Sequence, residues 1–281
     1  MIIPNTRAFL QAALEEDIRD GDHSTLACIP ATEQGKAVLK IKEDGVIAGL
    51  DIAREIIHLL EPEARFTMFK QDGDRVSYGE KAFELDAKVH TILQGERLLL
   101  NIMQRMSGIA SLTAQYVDKI KHTPCRLLDT RKTTPNFRWF EKRAVVLGGG
   151  HNHRMGLYDM VMLKDNHIDY CGGLEKAIDQ TRAYLSSNQL NLPIEVETRN
   201  LSEVERVVKH GGVDRIMFDN FSPADIRTGV DIVNKQMETE ASGGINLDTI
   251  VAYAETGVDF VSCGAIIHHA VSMDLSLKAV R

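Results

Sequence analysis

The sequence predicts an α/β protein whose larger part is a β/α barrel. Short apolar runs recur from Arg126 onward, most end on polar or glycine residues, and the last four begin about twenty-two residues apart. Helical stretches fit between them. Strands and helices that alternate, with polar residues at each strand's carboxyl end, define a β/α barrel or a doubly wound sheet. The even spread of those polar ends favours the barrel. Six clear strands rather than eight make it an incomplete one.

The first part reads as mixed α and β. Asn5 or Thr6 is placed to cap a helix through Phe9, Leu10, Ala13 and Leu14, which Asp20-Gly21-Asp22 breaks. Lys36 to Ile41 reads as a strand and Gly45 to Gly49 as a second, short one. Asp51 to Leu60 is an amphipathic helix with apolar residues at Ile52, Ala53, Ile56, Ile57 and Leu60. Phe66 to Phe69 and Ala82 to Val89 read as strands around the turn sequence Asp72-Gly73-Asp74. Lys70 to Leu85 has the look of a cofactor-carrying hairpin, but no lysine sits at its tip, so the segment is structural. A long helix is expected over Gly95 to about His122.

The second part supplies Leu127-Leu128 into Asp129-Thr130-Arg131-Lys132, and Met160 to Leu163 into Lys164-Asp165-Asn166. Ile194 to Glu197, Ile216 to Phe218, Thr239 to Ala241 and Phe260-Val261 follow. Helices are expected at 201–209, 225–235 and 247–255.

Composition narrows the function. At 281 residues there is room for two domains, or for one barrel with an appendage. Hydrophobic content of 43% and charged content of 26% are those of an ordinary soluble protein, and no apolar run is long enough to span a bilayer. The net charge of −7 argues against nucleic acid as a partner. The first residues lack a basic segment followed by an apolar run, so no secretory signal is expected. Cys28, Cys125, Cys171 and Cys263 are scattered without a Cys-x-x-Cys pair, which points to a reducing cytoplasm.

Against that acidic background, residues 126–167 carry eight Lys/Arg and four Asp/Glu, an excess of four that leaves −11 for the rest. A concentrated positive site on an acidic body attracts small anions. Arg131, Lys132, Arg154 and Lys164 lie at strand ends or in a glycine-rich loop, among Thr, Gly, His and Asn rather than other charges. A solvated surface run would be the plain alternative. Ser242-Gly243-Gly244 and Ser262-Cys263-Gly264 close the last two strands, where glycine lets backbone N–H groups approach a phosphate. Either could be a simple tight turn; two together beside the cationic block point to phosphate. Glu197 and Asp219 close two middle strands, positioned to bind a metal, hold ribose hydroxyls, or pair with the cations. His151, His153 and His167 do not form a known metal pattern; hydrogen bonds to ligand or backbone suit them better.

As a set these residues resemble the quinolinate phosphoribosyltransferases, the carboxylating nicotinate-nucleotide pyrophosphorylases. The most specific parts are Asp129-Thr130-Arg131-Lys132-Thr133-Thr134-Pro135, Gly148-Gly149-Gly150-His151-Asn152-His153-Arg154 and Leu163-Lys164-Asp165-Asn166-His167. Glu195-Val196-Glu197, Phe218-Asp219-Asn220 and Ala241-Ser242-Gly243-Gly244 follow in the family's order.

The resemblance implies an α/β sandwich domain over 1–112, joined by the tail 271–281, and a seven-stranded barrel over 113–270. It implies phosphoribosyl transfer from phosphoribosyl pyrophosphate to quinolinate with decarboxylation, in NAD biosynthesis, with Mg²⁺ as cofactor. It also implies a homodimer in which Arg97 reaches the partner's site. Thr130, Arg131, Lys132, His153, Arg154 and Lys164 match substrate-binding positions. Glu197 and Asp219 match the acids near ribose and metal, and with Lys132 form the expected catalytic set. Ser242, Gly243, Gly244, Cys263 and Gly264 match the phosphate loops.

Two positions depart from the family's pattern. Asn136 stands where glycine is usual, and Asn tolerates a left-handed backbone. Cys263 replaces an aliphatic residue, with a backbone contact expected. The rivals are a molybdate-locus relative of the same fold acting on another acceptor, and a non-catalytic phosphate-binding protein.

Overall fold

The computed structural model describes residues 6–280. The chain separates into two compact units, one running up to Leu112 and resuming at Ala270, the other spanning Thr113–His269.

In the first unit, α1 (Thr6–Ile18) buries Leu10 and Leu14, one helical turn apart. The expected cap at Asn5 and the residues read for a secretory signal lie outside the described residues. Asp20-Gly21-Asp22 ends α1 and also starts α2 (His23–Cys28), whose first turn Asp22 caps by accepting the Thr25 N–H at 3.2 Å. β1 (Gln34–Ile41) is followed by the two-residue β2 (Gly45–Val46) and by α3 (Leu50–Leu60). α3 buries the expected stripe of Ile52, Ala53, Ile56 and Ile57.

β3 (Arg65–Met68), β4 (Arg75–Val76) and β5 (Lys81–Lys88) complete the strands of this region. β1 lies between β5 and a carboxyl-terminal strand, Leu275–Val280, and is antiparallel to both; β3 flanks β5. Leu39 faces Phe83 on one side and Leu277 on the other, and all three are buried.

α4 (Val89–Ile120) begins six residues before the expected Gly95. Val89, expected as the end of the strand, is β-branched, and so are Thr91 and Ile92, which favour strand locally. Tertiary contact overrides that preference. Gly95 sits inside the helix because a Cβ there would lie 2.6 Å from Ile57 Cδ1, so the helix backbone rests directly on α3. No described helix is long and apolar enough to cross a membrane.

The second unit is a run of parallel strands: β6 (Arg126–Leu128), β7 (Val161–Leu163), β8 (Ile194–Thr198), β9 (Arg215–Asp219), β10 (Glu238–Ser242) and β11 (Phe260–Ser262). Their order is β6-β11-β10-β9-β8-β7. A single parallel bridge, Leu128 to His151, adds a seventh rung beyond β6. Among the described residues the ladder does not close between His151 and β7. This is the incomplete barrel that six strands anticipate, with His151 in the seventh strand's place.

Helices α5 (Arg138–Leu147), α6 (Asp165–Cys171), α7 (Leu174–Ser187), α8 (Leu201–His210), α9 (Pro223–Val233), α10 (Ile250–Ala254) and α11 (Ala265–His268) occupy the connections. α9 starts with Ser222 as cap and Pro223 in the first turn, and stops at Asn234 in a left-handed conformation (φ 45°). α10 is shorter than expected because Asn246 and Thr249 hold the preceding residues in side-chain-bonded turns.

Period-two alternation puts Ile194 and Val196, Ile216 and Phe218, Thr239 and Ala241 on one face of the sheet. Phe218, fully buried, packs so closely on α9 that a Cβ on Gly229 would lie 2.6 Å from its ring. The other face carries Glu195 and Glu197, Met217 and Asp219, Glu240 and Ser242. Phe218→Ala should lower the unfolding free energy by about 3–5 kcal/mol in urea denaturation, the usual cost of emptying a buried aromatic site.

Candidate active site

The carboxyl ends of the barrel strands surround one cavity of about 770 Å³, inside the range of small-molecule sites. Thr130, Arg131 and Lys132 enter it after β6, His153 and Arg154 after the His151 rung, and Lys164 after β7. Glu197 closes β8, Asp219 closes β9, Ser242 to Gly244 follow β10, and Cys263 and Gly264 follow β11. These residues, distant in sequence, meet at one rim. Arg97 is not among the lining residues; it is exposed on α4 in the first unit.

Each cation is set by local structure. Thr130 Oγ1 accepts the Lys132 N–H at 3.0 Å, turning the chain sharply after β6. Thr134 is fastened to buried Glu141 of α5, its N–H at 2.8 Å and its hydroxyl at 2.9 Å. Asn136 adopts φ 61°, the left-handed turn anticipated for it. Lys164 caps α6, and its N–H donates to His167 Nδ1 at 3.0 Å, so the histidine serves the backbone through that nitrogen.

The acids and cations are partly paired. Lys164 Nζ lies 2.5 Å from Glu197 Oε2, and Asn220 Nδ2 donates to Asp219 Oδ2 at 2.7 Å. Elsewhere positive groups crowd one another. Burial, with Arg131 nearby, pulls the Arg154 guanidinium below its ordinary value. Burial, His269 and Lys132 do the same to His268. Cations that disfavour each other's charge form a site that an anion relieves.

The two glycine loops interlock with their neighbours. Gly243 has φ +97°, and a Cβ there would fall on Asn220 Oδ1 and 2.9 Å from Asn220 N. Asn220, itself at φ 58°, donates its N–H to the Ser242 carbonyl at 2.9 Å. A Cβ on Gly244 would meet nothing within 4 Å, so this backbone is open to a ligand. Cys263 donates its N–H to Leu128 O at 3.0 Å, which commits that group to β6, while its thiol reaches Ile245 O at 3.1 Å. Burial pushes that thiol up.

Beneath the rim lies a fully buried ion pair between Asp129 and Lys142. Asp129 Oδ1 also accepts the His153 N–H at 2.9 Å, and Lys142 Nζ donates to the His153 carbonyl at 2.9 Å. Asn152, with its amide nitrogen turned to the acceptors, donates to Asp129 Oδ2 at 2.6 Å and to Lys142 O at 2.9 Å. Burial pushes the Asp129 carboxyl up to about 6 and pulls the Lys142 ammonium down, in each case against the partner's attraction. Desolvation thus works against the pair, whose value lies in placing the 151–154 segment.

A second buried group was not foreseen. His153 Nε2 lies 3.0 Å from Glu195 Oε2 and 3.4 Å from Glu240 Oε2, and all three side chains are buried. Burial, with Glu240 alongside, pushes the Glu195 carboxyl up to about 7. The spacing of these atoms, within 4.8 Å of one another, would suit a metal. Burial disfavours charge on the His153 ring, but Glu195 and Glu240 outweigh it and push the imidazole up to about 9, so the ring sits between the two acids as their cation. Tyr116, Glu240, Ser262, His268 and His269 also line the cavity. Glu195 and Glu240 could have been found from alternation alone. Each stands two residues before a strand-end position already singled out, and so on the same face. No comparable signal marks His268, His269 or Tyr116.

The fold and the rim define a class: a β/α-barrel protein with a cationic cavity at the carboxyl ends of its strands, suited to phosphate-bearing and carboxylate-bearing small molecules. The family follows from comparison. Models of the quinolinate phosphoribosyl transferase N-terminal and C-terminal domains match residues 22–107 and 109–278. The chain is 42% identical to quinolinate phosphoribosyltransferase [decarboxylating] 1b of Nicotiana tabacum, over 97% of this chain and 81% of that protein. It is also 42% identical to a probable carboxylating nicotinate-nucleotide pyrophosphorylase of Synechocystis, over 97% and 92%. The crystal structure of NadC from Streptococcus pyogenes superposes with a TM-score of 0.93 at 39% identity, covering both chains completely. The chain belongs to the quinolinate phosphoribosyltransferase family.

Lys142→Met would strand the Asp129 carboxylate in the interior. It should cost about 3–5 kcal/mol in chemical denaturation, the scale of a broken buried pair; a loss below about 1 kcal/mol would show that the pair does not hold this floor.

Proposed function

We propose that the protein transfers phosphoribose from phosphoribosyl pyrophosphate to the ring nitrogen of quinolinate and releases carbon dioxide, giving nicotinate mononucleotide and pyrophosphate. The observation that carries this reading is the meeting of Arg131, Lys132, Arg154 and Lys164 with Glu197 and Asp219 around one cavity, in a chain of this family.

Breaking the anomeric C–O bond builds positive charge on ribose and negative charge on the departing pyrophosphate. Lys132, beside Gly264, is placed to receive the phosphates. The open backbone at Gly244 suits a phosphate whose oxygens accept N–H groups. Quinolinate is a dianion, and Arg131, Arg154 and Lys164 match its two carboxylates, the arginines as planar forks and the lysine as a point charge. Glu197 and Asp219 are placed to hold ribose hydroxyls and to steady the developing cation. No protein nucleophile is needed, because positioning and electrostatics lower the barrier. Once the ring nitrogen is quaternised, its positive charge stabilises the electron pair left on the ring carbon as the carbon–carboxylate bond breaks and carbon dioxide departs, and a proton from solvent then takes that position.

Magnesium fits the same acids. It prefers hard oxygen donors, retains several waters and shares phosphates, and Glu197 and Asp219 offer carboxylates at adjacent strand ends. When bound it would neutralise pyrophosphate charge. The family's homodimer, with Arg97 completing the partner's site, remains part of the proposal.

The direct test incubates the protein with quinolinate, phosphoribosyl pyrophosphate and Mg²⁺ and follows nicotinate mononucleotide, with nicotinate as control acceptor. Turnover of nicotinate alone would overturn the reading. Arg131→Ala and Lys164→Ala should each lower kcat/KM by about a hundredfold, the scale of one lost transition-state charge contact. Rates within threefold of the unaltered protein would remove those two residues from the site. Mixing Arg97→Ala with Arg131→Ala protein should restore part of the activity through hybrid dimers. No recovery under demonstrated subunit exchange would exclude a shared site.

A further inference from the structure

The two acids at the rim are held by different kinds of neighbour. Glu197 lies against the Lys164 ammonium, whereas the Asp219 side chain has one hydrogen bond among the described residues, from the neutral Asn220 amide at 2.7 Å. Such a bond between adjacent residues needs an unusual backbone, because successive side chains of an extended strand point to opposite faces. Asn220 meets that need by leaving β9 in the left-handed region, at φ 58°. Its N–H returns to the Ser242 carbonyl of β10 at 2.9 Å, and Ser242 is the register partner of Asp219. The other side of the amide is confined as well: a Cβ added to Gly243 would lie 2.6 Å from Asn220 Cγ. One residue therefore ties the end of β9 to the glycine loop after β10, with its side chain clasped between Asp219 and Gly243.

We propose that Asn220 is a positioning residue for Asp219, aiming the carboxylate into the cavity without cancelling its charge. An amide N–H carries only a partial charge, so it fixes the direction of a carboxylate and leaves the negative charge intact. A lysine in the same place would hold the acid as firmly, but it would answer that charge before any ribose cation formed, as Lys164 does for Glu197. The two acids thus divide the work. Glu197 enters the reaction already paired, and Asp219 enters it free to respond to the bond-breaking centre. Backbone and side chain of Asn220 have separable tasks: the left-handed turn seats the Ser242 to Gly244 loop, and the amide orients Asp219.

The inference rests on the proposed phosphoribosyl transfer to quinolinate, and the experiment separates the two. If the unaltered protein does not turn over quinolinate, both fall together; if it does, variants of residue 220 judge the inference. Glycine adopts the left-handed backbone without strain, so Asn220→Gly removes the amide and keeps the turn. It should lower kcat by about tenfold, with KM for quinolinate and for phosphoribosyl pyrophosphate each moving less than about twofold. Asn220→Asp keeps the shape and the backbone tolerance but offers no donor, and it should lose at least as much kcat. Asn220→Ala strains the turn as well. Of the two uncharged variants, it alone should weaken binding of inorganic pyrophosphate, by about fivefold in calorimetry.

In an Asp219→Asn background, where no carboxylate charge is left to aim, Asn220→Gly should add little, the non-additivity of residues acting in series. Unchanged pyrophosphate binding in Asn220→Gly shows that its cavity is formed. A kcat within about twofold of the unaltered protein in Asn220→Gly or Asn220→Asp would overturn the inference, because packing alone would then suffice at this position. A raised KM for phosphoribosyl pyrophosphate together with weakened pyrophosphate binding in Asn220→Gly would overturn it by assigning the amide to direct contact with the ligand. Full additivity of Asp219→Asn and Asn220→Gly would overturn it too, since the amide would then act on something other than Asp219.

Discussion

The buried contact between Asp129 and Lys142 is the constraint on which the site depends. It ties the end of β6 to α5, and through Asn152 and both backbone groups of His153 it ties each to the segment that carries Arg154. The segment contributes only one rung, at His151, to the sheet. Without a ladder of its own it needs side-chain anchors, and a charged pair provides directional ones. Desolvation disfavours both charges, so geometry rather than stability accounts for the pair. The preceding glycines let the backbone reach this arrangement: a Cβ on Gly150 would lie 2.8 Å from Val145 and 2.9 Å from Thr113.

Above this floor the balance reverses. The rim gathers cations, and burial together with their mutual repulsion lowers the proton affinity of Arg154 and His268, while Lys164 has the Glu197 carboxylate at close range. Two layers of opposite character are stacked along the same strands. The lower layer holds Glu195 and Glu240; the upper holds Glu197, Asp219 and Ser242, set among the incoming lysines and arginines. Residues two apart on a strand share a face but differ in depth, and that difference separates an acid serving the protein from an acid available to a ligand.

Much of this was legible in the sequence, for physical reasons that can be named. β8 to β11 were readable because each couples an apolar run to a polar end at regular intervals. α3 was readable because its apolar stripe has helical period. The start of α4 was not, since β-branched Val89, Thr91 and Ile92 favour strand locally and only their packing makes them helical. α6 and α11, seven and four residues long, follow strands and are too brief to show periodicity. At the site, residues with distinctive chemistry stood out, including Arg131, Lys164, Asp219 and the glycines. His153 was legible as a pocket residue but not in its orientation, because the groups facing its ring come from β8 and β10, far away in the chain. Arg97 stands apart, identified through family resemblance and exposed in the single chain.

The pairing of β1 with Leu275–Val280 has a consequence for biogenesis. Every strand of the barrel lies before His269, whereas the first unit's sheet lacks one of its four strands until residues 275–280 have been synthesised. On the ribosome, the portion made first is therefore the portion finished last, with the edge of β1 left open to wrong partners meanwhile. A chain stopped at His269 would keep every rim residue yet leave the opening sheet unsealed, so the damage would show in the unit whose other strands were made earliest.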